Sequence, residues 1–181
     1  SLITEGSGIY SVKNKKYEFR KGDIFLFNSD EIHCITEVFG GKRFDVLNIH
    51  FEPRLLWSRD GFSSFELLKI FFSRSDIFEN MIDRNNPASK KIVELILDAE
   101  RELCDKKFEY PLAVKGKILE ILLILSREYG YIDDSGGSKA YEHNAEQLAS
   151  VISYIEGNLS SEIKLSQLAE ICGMNKTYFC Y

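Results

Sequence analysis

Excess positive charge, paired cysteines, clustered histidines and long apolar runs are all missing from this chain. Its 23 Lys and Arg are outnumbered by 28 Asp and Glu, a net charge of −5. A surface that coats nucleic acid along its length needs clustered cations to neutralise phosphates, so that class is excluded and any such contact must be local. No stretch approaches the roughly 20 apolar residues that span a bilayer, and the first residues lack the charged-then-apolar order of a secretory signal. The expectation is a cytoplasmic protein with no membrane partner. Cys34, Cys104, Cys172 and Cys180 are scattered at apolar positions without a C-x-x-C pair, which reads as reduced and mostly packed thiols, Cys180 being the exception. A metal site needs three or more ligands, and of the three histidines only His33 and His50 fall in the β-rich part. Neither a metal nor a cofactor is expected, and no catalytic residue is assigned.

What is present is ordinary globular material: 181 residues, 44% apolar and 28% charged, enough for a sizeable core. Residues 1–57 alternate apolar and polar over short stretches broken by turn residues: Gly8–Val12, Tyr17–Phe19, Ile24–Phe27, His33–Val38 and Phe44–Phe51. Short strands so closely spaced predict a meander, jelly roll or barrel. Ser1 to Thr4 already reads as the end of a strand, so the expectation is that earlier strands precede it. In Phe44–Phe51, Val46, Asn48 and His50 share one face and Leu47, Ile49 and Phe51 the other; the pattern alone would bury the apolar set.

Residues 58–132 turn helical. Asn86-Pro87 is a cap followed by proline at the first helical position, and Ile92, Leu95, Ile96, Ala99 and Leu103 continue one apolar face. Tyr110-Pro111 opens a second helix whose run ILEILLIL is apolar nearly all round, more than one packing face requires. Such a helix is either deeply buried or shared with another subunit. Ile118, Ile121, Leu122 and Leu125 are its candidate dimerisation residues. Residues 133–144 have the Ser, Gly and charge content of a linker.

Residues 145–181 carry a second kind of unit. Ala145–Asn158 predicts an amphipathic helix, and Ser166 can cap the next, which carries Leu165, Leu168, Ala169 and Cys172 on one face. Counting from Leu165, a small residue (Ala169) is fifth, Gly173 ninth and the apolar Phe179 fifteenth, the order a helix-turn-helix needs for close crossing, a tight turn and packing back. On the second helix Lys176, Thr177, Cys180 and Tyr181 would face outward as DNA contacts. Five Glu against two Lys from Tyr141 onward leave this end acidic. The chain also stops inside this unit, and weak or absent DNA binding is expected of it alone.

The pattern Ile152 to Ile155, Asn158, Ile163-Lys164-Leu165, Leu168-Ala169, Gly173-Met174 and Tyr178-Phe179 resembles the opening of the DNA-binding domain of AraC-type bacterial transcriptional regulators. The front half resembles that family's regulatory domain, a cupin barrel followed by dimerisation helices. GDIFLFNSDEIH, from Gly22 to His33, matches the second cupin motif in spacing, with Asn28 in place of its proline and Asp30 in place of its glycine. Glu5-Gly6-Ser7-Gly8 resembles the end of the first. The resemblance implies an α+β protein: a cupin-like β-barrel (jelly roll), a helical dimerisation region and a truncated helix-turn-helix. It turns the Asn48 and His50 face toward the barrel cavity and the apolar set under the helices. Tyr10, Phe27, His33, Ile35, Asn48 and His50 are then the candidate ligand-binding residues, since apolar walls with a few convergent polar groups suit a small effector. The implied function is a DNA-binding, homodimeric regulator that senses a small molecule, a sugar being one candidate class, rather than an enzyme. Two alternatives stay open: a metal-dependent cupin enzyme with a helical tail, and a regulator whose ligand-free barrel only dimerises.

Overall fold

The computed structural model describes residues 1–28, 31–41, 43–56, 67–72, 74, 78–129, 147 and 150–175. Its strands are β1 (Leu2–Glu5), β2 (Ser7–Val12), β3 (Lys15–Arg20), β4 (His33–Val38) and β5 (Asp45–Leu47). Its helices are α1 (Lys69–Phe72), α2 (Pro87–Asp105), α3 (Tyr110–Glu128), α4 (150–157) and α5 (Leu165–Ile171).

β2 is the centre of an antiparallel sheet ordered β3-β2-β4, with Gly8 opposite Phe19 and Tyr10 opposite Tyr17. Its alternation is clean: Gly8, Tyr10 and Val12 are buried while Ser7, Ile9 and Ser11 are half-buried, as one pleated face against a core requires. Gly8 is there for space, since a Cβ would lie 2.0 Å from the Glu37 carbonyl oxygen and 2.9 Å from the Phe19 ring.

β1 pairs antiparallel with β5, Leu2 facing Leu47. The segment around Ile24 extends this layer. Ile3 N–H donates to Asp23 O at 2.9 Å, Leu26 N–H to Asn80 O at 2.8 Å and Ile82 N–H to Ile24 O at 2.9 Å. Among the described residues the strands thus form two antiparallel sheets and no closed barrel, so the barrel expectation reduces to an α+β arrangement. The strand predicted over Phe44–Phe51 pairs only across Asp45–Leu47. Because Leu47 faces Leu2, residues 48–51 lie past the end of the β1 ladder.

α2 starts as its sequence dictates: Asn86 Oδ1 accepts the Ala88 N–H at 2.9 Å, and Pro87 follows where no N–H is needed. It ends at Lys106 in the left-handed region, whose N–H returns to Glu102 O. α3 runs back antiparallel, shown by the pairs Lys91–Glu120 and Lys117–Glu102 along the hairpin. Ile92, Leu95, Ile96 and Ala99 of α2 are buried, but Leu103, expected on the same face, is exposed beside the hairpin turn. Ile118, Ile121, Leu122 and Leu125 are buried in the chain's own core, each worth roughly 1.5–3 kcal/mol of burial. As placed, these four pack α3 within the chain.

In the last described unit Val151, Ala169 and Cys172 are buried, and Gln147 Nε2 donates to Cys172 O at 2.6 Å. α5 begins two residues earlier than a Ser166 cap would place it: its N-cap is Lys164, whose N–H is accepted by Gln167 Oε1 at 2.9 Å. Gly173 sits at φ +62°, and Met174 N–H closes the turn onto Ala169 O at 2.8 Å. Lys176, Thr177, Cys180 and Tyr181, and the linker 133–144, lie outside the described residues.

Candidate functional site

Two cores lie on opposite sides of the layer made by β1, β5 and residues 24–27. The first is aromatic. Tyr10, Phe19 and Phe25 are buried there, and Tyr10 meets Phe25 at 4.7 Å and Phe27 at 5.3 Å between ring centroids. At its edge Phe27 and His33 stack face to face, 3.9 Å apart and 1° from parallel. His33 Nδ1 lies 2.6 Å from the Glu31 carbonyl oxygen. A carbonyl only accepts, so Nδ1 carries the proton; in the neutral ring Nε2 is then an acceptor.

Beside this stack runs a polar network. Glu31, with its side chain only 7% exposed, pairs with Arg74 Nη1 at 2.6 Å and Lys13 Nζ at 3.5 Å. It also accepts from Asn80 Nδ2 at 3.1 Å and from the Asn28 N–H at 2.8 Å. Burial pushes the Glu31 carboxyl up, but hydrogen bonds from Arg74 and Asn28 and the charges of Arg74 and Lys13 outweigh it and hold the group below the usual carboxylate range. The Arg74 guanidinium lies over the Phe78 ring, 3.9 Å from its centroid. Nearby, Tyr17 Oη donates to Glu79 Oε2 at 2.7 Å, and burial together with that bond pushes the Tyr17 phenol up to about 12.

The second core is aliphatic and lies between the sheet layer and the α2–α3 hairpin. It leaves a pocket of about 70 Å³, walled by Leu26, Leu47 and Ile49 on the sheet side and by Ile96, Ile118 and Leu122 on the helix side, among others. Among the described residues no three His, Cys, Asp or Glu side chains come together as a metal site, and no helix is long and apolar enough to cross a membrane.

The family model of the AraC-like ligand binding domain matches residues 1–100, which takes in both sheets, the aromatic stack, the Glu31 network and most of α2. The chain belongs to that family. No curated protein and no solved structure matches it.

Within this AraC-like ligand binding domain, the predicted site residues divide. Tyr10, Phe27, His33 and Ile35 meet in or against the aromatic core. Leu47, Ile49 and Phe51 pack toward the helices and Val46 toward the aromatic core. Asn48 and His50 are exposed, and Asn48 Oδ1 accepts from the Ser1 hydroxyl rather than meeting the other candidates. Sequence reasoning missed Glu31, Arg74, Asn80 and Tyr17. Glu31 had one signal, its place two residues before His33 in the cupin-like motif. Arg74 and Asn80 stand in a stretch without periodicity and had none.

Proposed function

We propose that this AraC-like ligand binding domain is the sensor of a dimeric transcriptional regulator, whose DNA-binding part begins within residues 145–181. The observation that carries the sensor reading is the Phe27–His33 stack at the edge of the aromatic core, next to the buried Glu31–Arg74–Asn80 network. Flat apolar rings beside a few fixed polar groups are what a small effector with one apolar face and hydroxyl or carboxyl groups needs, and a sugar is one such class. Tyr10, Ile35, Asn48 and His50 complete the proposed ligand-binding set. The α5–Gly173 turn supports a helix-turn-helix start, with Lys176, Thr177, Cys180 and Tyr181 as proposed DNA contacts. A homodimer through α3 would use its exposed side rather than Ile118, Ile121, Leu122 and Leu125.

A second reading, a barrel that only dimerises, is favoured by the rings of Tyr10, Phe19 and Phe25, which fill the interior. Thermal unfolding against a panel of sugars and organic acids separates the two. An effector at 100 times its Kd adds about 2.7 kcal/mol. The sensor reading expects at least one compound to raise the midpoint of the native chain and to fail with Phe27→Ala. No active compound, or one that acts equally on Phe27→Ala, favours the ligand-free reading.

A further inference from the structure

We propose that the pocket between the sheet layer and the α2–α3 hairpin is a second binding site, one that takes a short alkyl group. Fourteen of its fifteen lining residues have apolar side chains, the exception being Ser1. A water there would need 2–4 polar partners, and Ser1 is the one polar residue among these walls, so the occupant that fits is apolar. Size narrows the class: an apolar void of about 150 Å³ accommodates benzene, so the volume here suits about three or four carbons.

The walls also say what occupancy does. The inner wall, including Ile92, Leu122 and Leu125, is fully buried, while Leu26, Leu47, Ile49, Phe51 and Phe71 are half-buried and form the side nearer solvent. An alkyl group there touches the sheet and both helices at once. It therefore favours the arrangement in which the hairpin is docked on the sheet over any arrangement that separates them. The site is chemically distinct from the aromatic and charged edge on the other side of the layer and does not depend on an effector binding there.

The test is methyl NMR of the 181-residue chain titrated with dissolved propane, with glycerol as a polar control of equal carbon number. The proposal expects saturable shifts at the Ile96, Ile118 and Ile121 methyls, none at Ile9, and no response to glycerol. Ile96→Phe fills the space and should abolish the shifts; Leu122→Ala enlarges it and should extend binding to benzene, which guards against a failure of the phenylalanine variant to fold. Shifts that are absent, that rise linearly without saturation, that appear equally at Ile9 or that persist unchanged in a folded Ile96→Phe would each overturn the proposal. None of these outcomes alters the response of Phe27→Ala to an effector, so the two readings fail separately.

Discussion

Replacing Arg74 by methionine keeps a long apolar stem and removes the charge that faces Glu31. The two groups are 2.6 Å apart, with side chains 15% and 7% exposed, so the pair is shielded from water and not discounted as a surface pair would be. Removing one member of a buried pair costs about 3–5 kcal/mol, because the other charge is left stranded. Here Glu31 keeps Asn80, the Asn28 N–H and the more distant Lys13, which places the loss near the lower end, about 3 kcal/mol. Against a total of about 5–15 kcal/mol for a domain, urea unfolding followed by far-UV circular dichroism reads this easily. The sign with pH follows from the depressed Glu31 carboxyl. Its stabilisation is complete above the unfolded value of about 4.3 and is lost as pH falls through the lower folded value. In Arg74→Met the main lowering partner is gone while burial remains, so the carboxyl moves up, and protonation relieves the stranded charge. The deficit should therefore be largest near neutral pH and shrink in acid. Glu31→Gln combined with Arg74→Met should recover at least about 1 kcal/mol relative to the sum of the single changes. A loss under about 0.5 kcal/mol for Arg74→Met, or an equal loss at neutral and acid pH, refutes the reasoning.

Two further changes test the scaffold. Gly8→Ala drives a methyl against the Glu37 carbonyl and the Phe19 ring and should cost about 3 kcal/mol, seen as a lower urea midpoint and faster amide exchange along β4. Asn86→Ala removes the acceptor for the Ala88 N–H and should cost about 1 kcal/mol, while Asn86→Asp, measured in the same urea titration, should cost little.

Local signals were the legible part of this chain. Asn86-Pro87 and Tyr110-Pro111 start helices because a cap and a pre-set φ act within a few residues, and the alternation Gly8–Tyr10–Val12 is a property of one strand. The Gly22–His33 spacing led to the Phe27–His33 stack, although a motif names residues and not their partners. What failed was non-local. Whether residues 48–51 pair depends on where β1 ends, and whether α3's apolar girth meets a second copy or the sheet depends on packing that no window of sequence contains. The same holds for Arg74, whose ion pair is with Glu31, more than forty residues earlier in the chain.

The alternation of the middle layer explains how two unlike cores can share one domain. Along residues 24–27 the side chains go in turn to the aliphatic, aromatic, aliphatic and aromatic core: Ile24, Phe25, Leu26, Phe27. Leu2 and Ile3 divide the same way, as do Leu47 and Val46, and Ile82 and Met81. A strand with a period of two has no other way to serve two apolar surfaces, so the layer is a wall one residue thick with no polar filling. Under the proposed function this geometry bears on signalling. A ligand that displaces Phe27 by even a fraction of an ångström acts on a backbone whose neighbouring residue, Leu26, forms part of the pocket under the α2–α3 hairpin. Close-packed interiors transmit such strain because they have few voids to absorb it, and the pocket is a place in this contact where the helices have room to respond. Effector occupancy on one side and hairpin position on the other are then two readings of the same layer, provided that the ligand binds the two hairpin positions with different affinity.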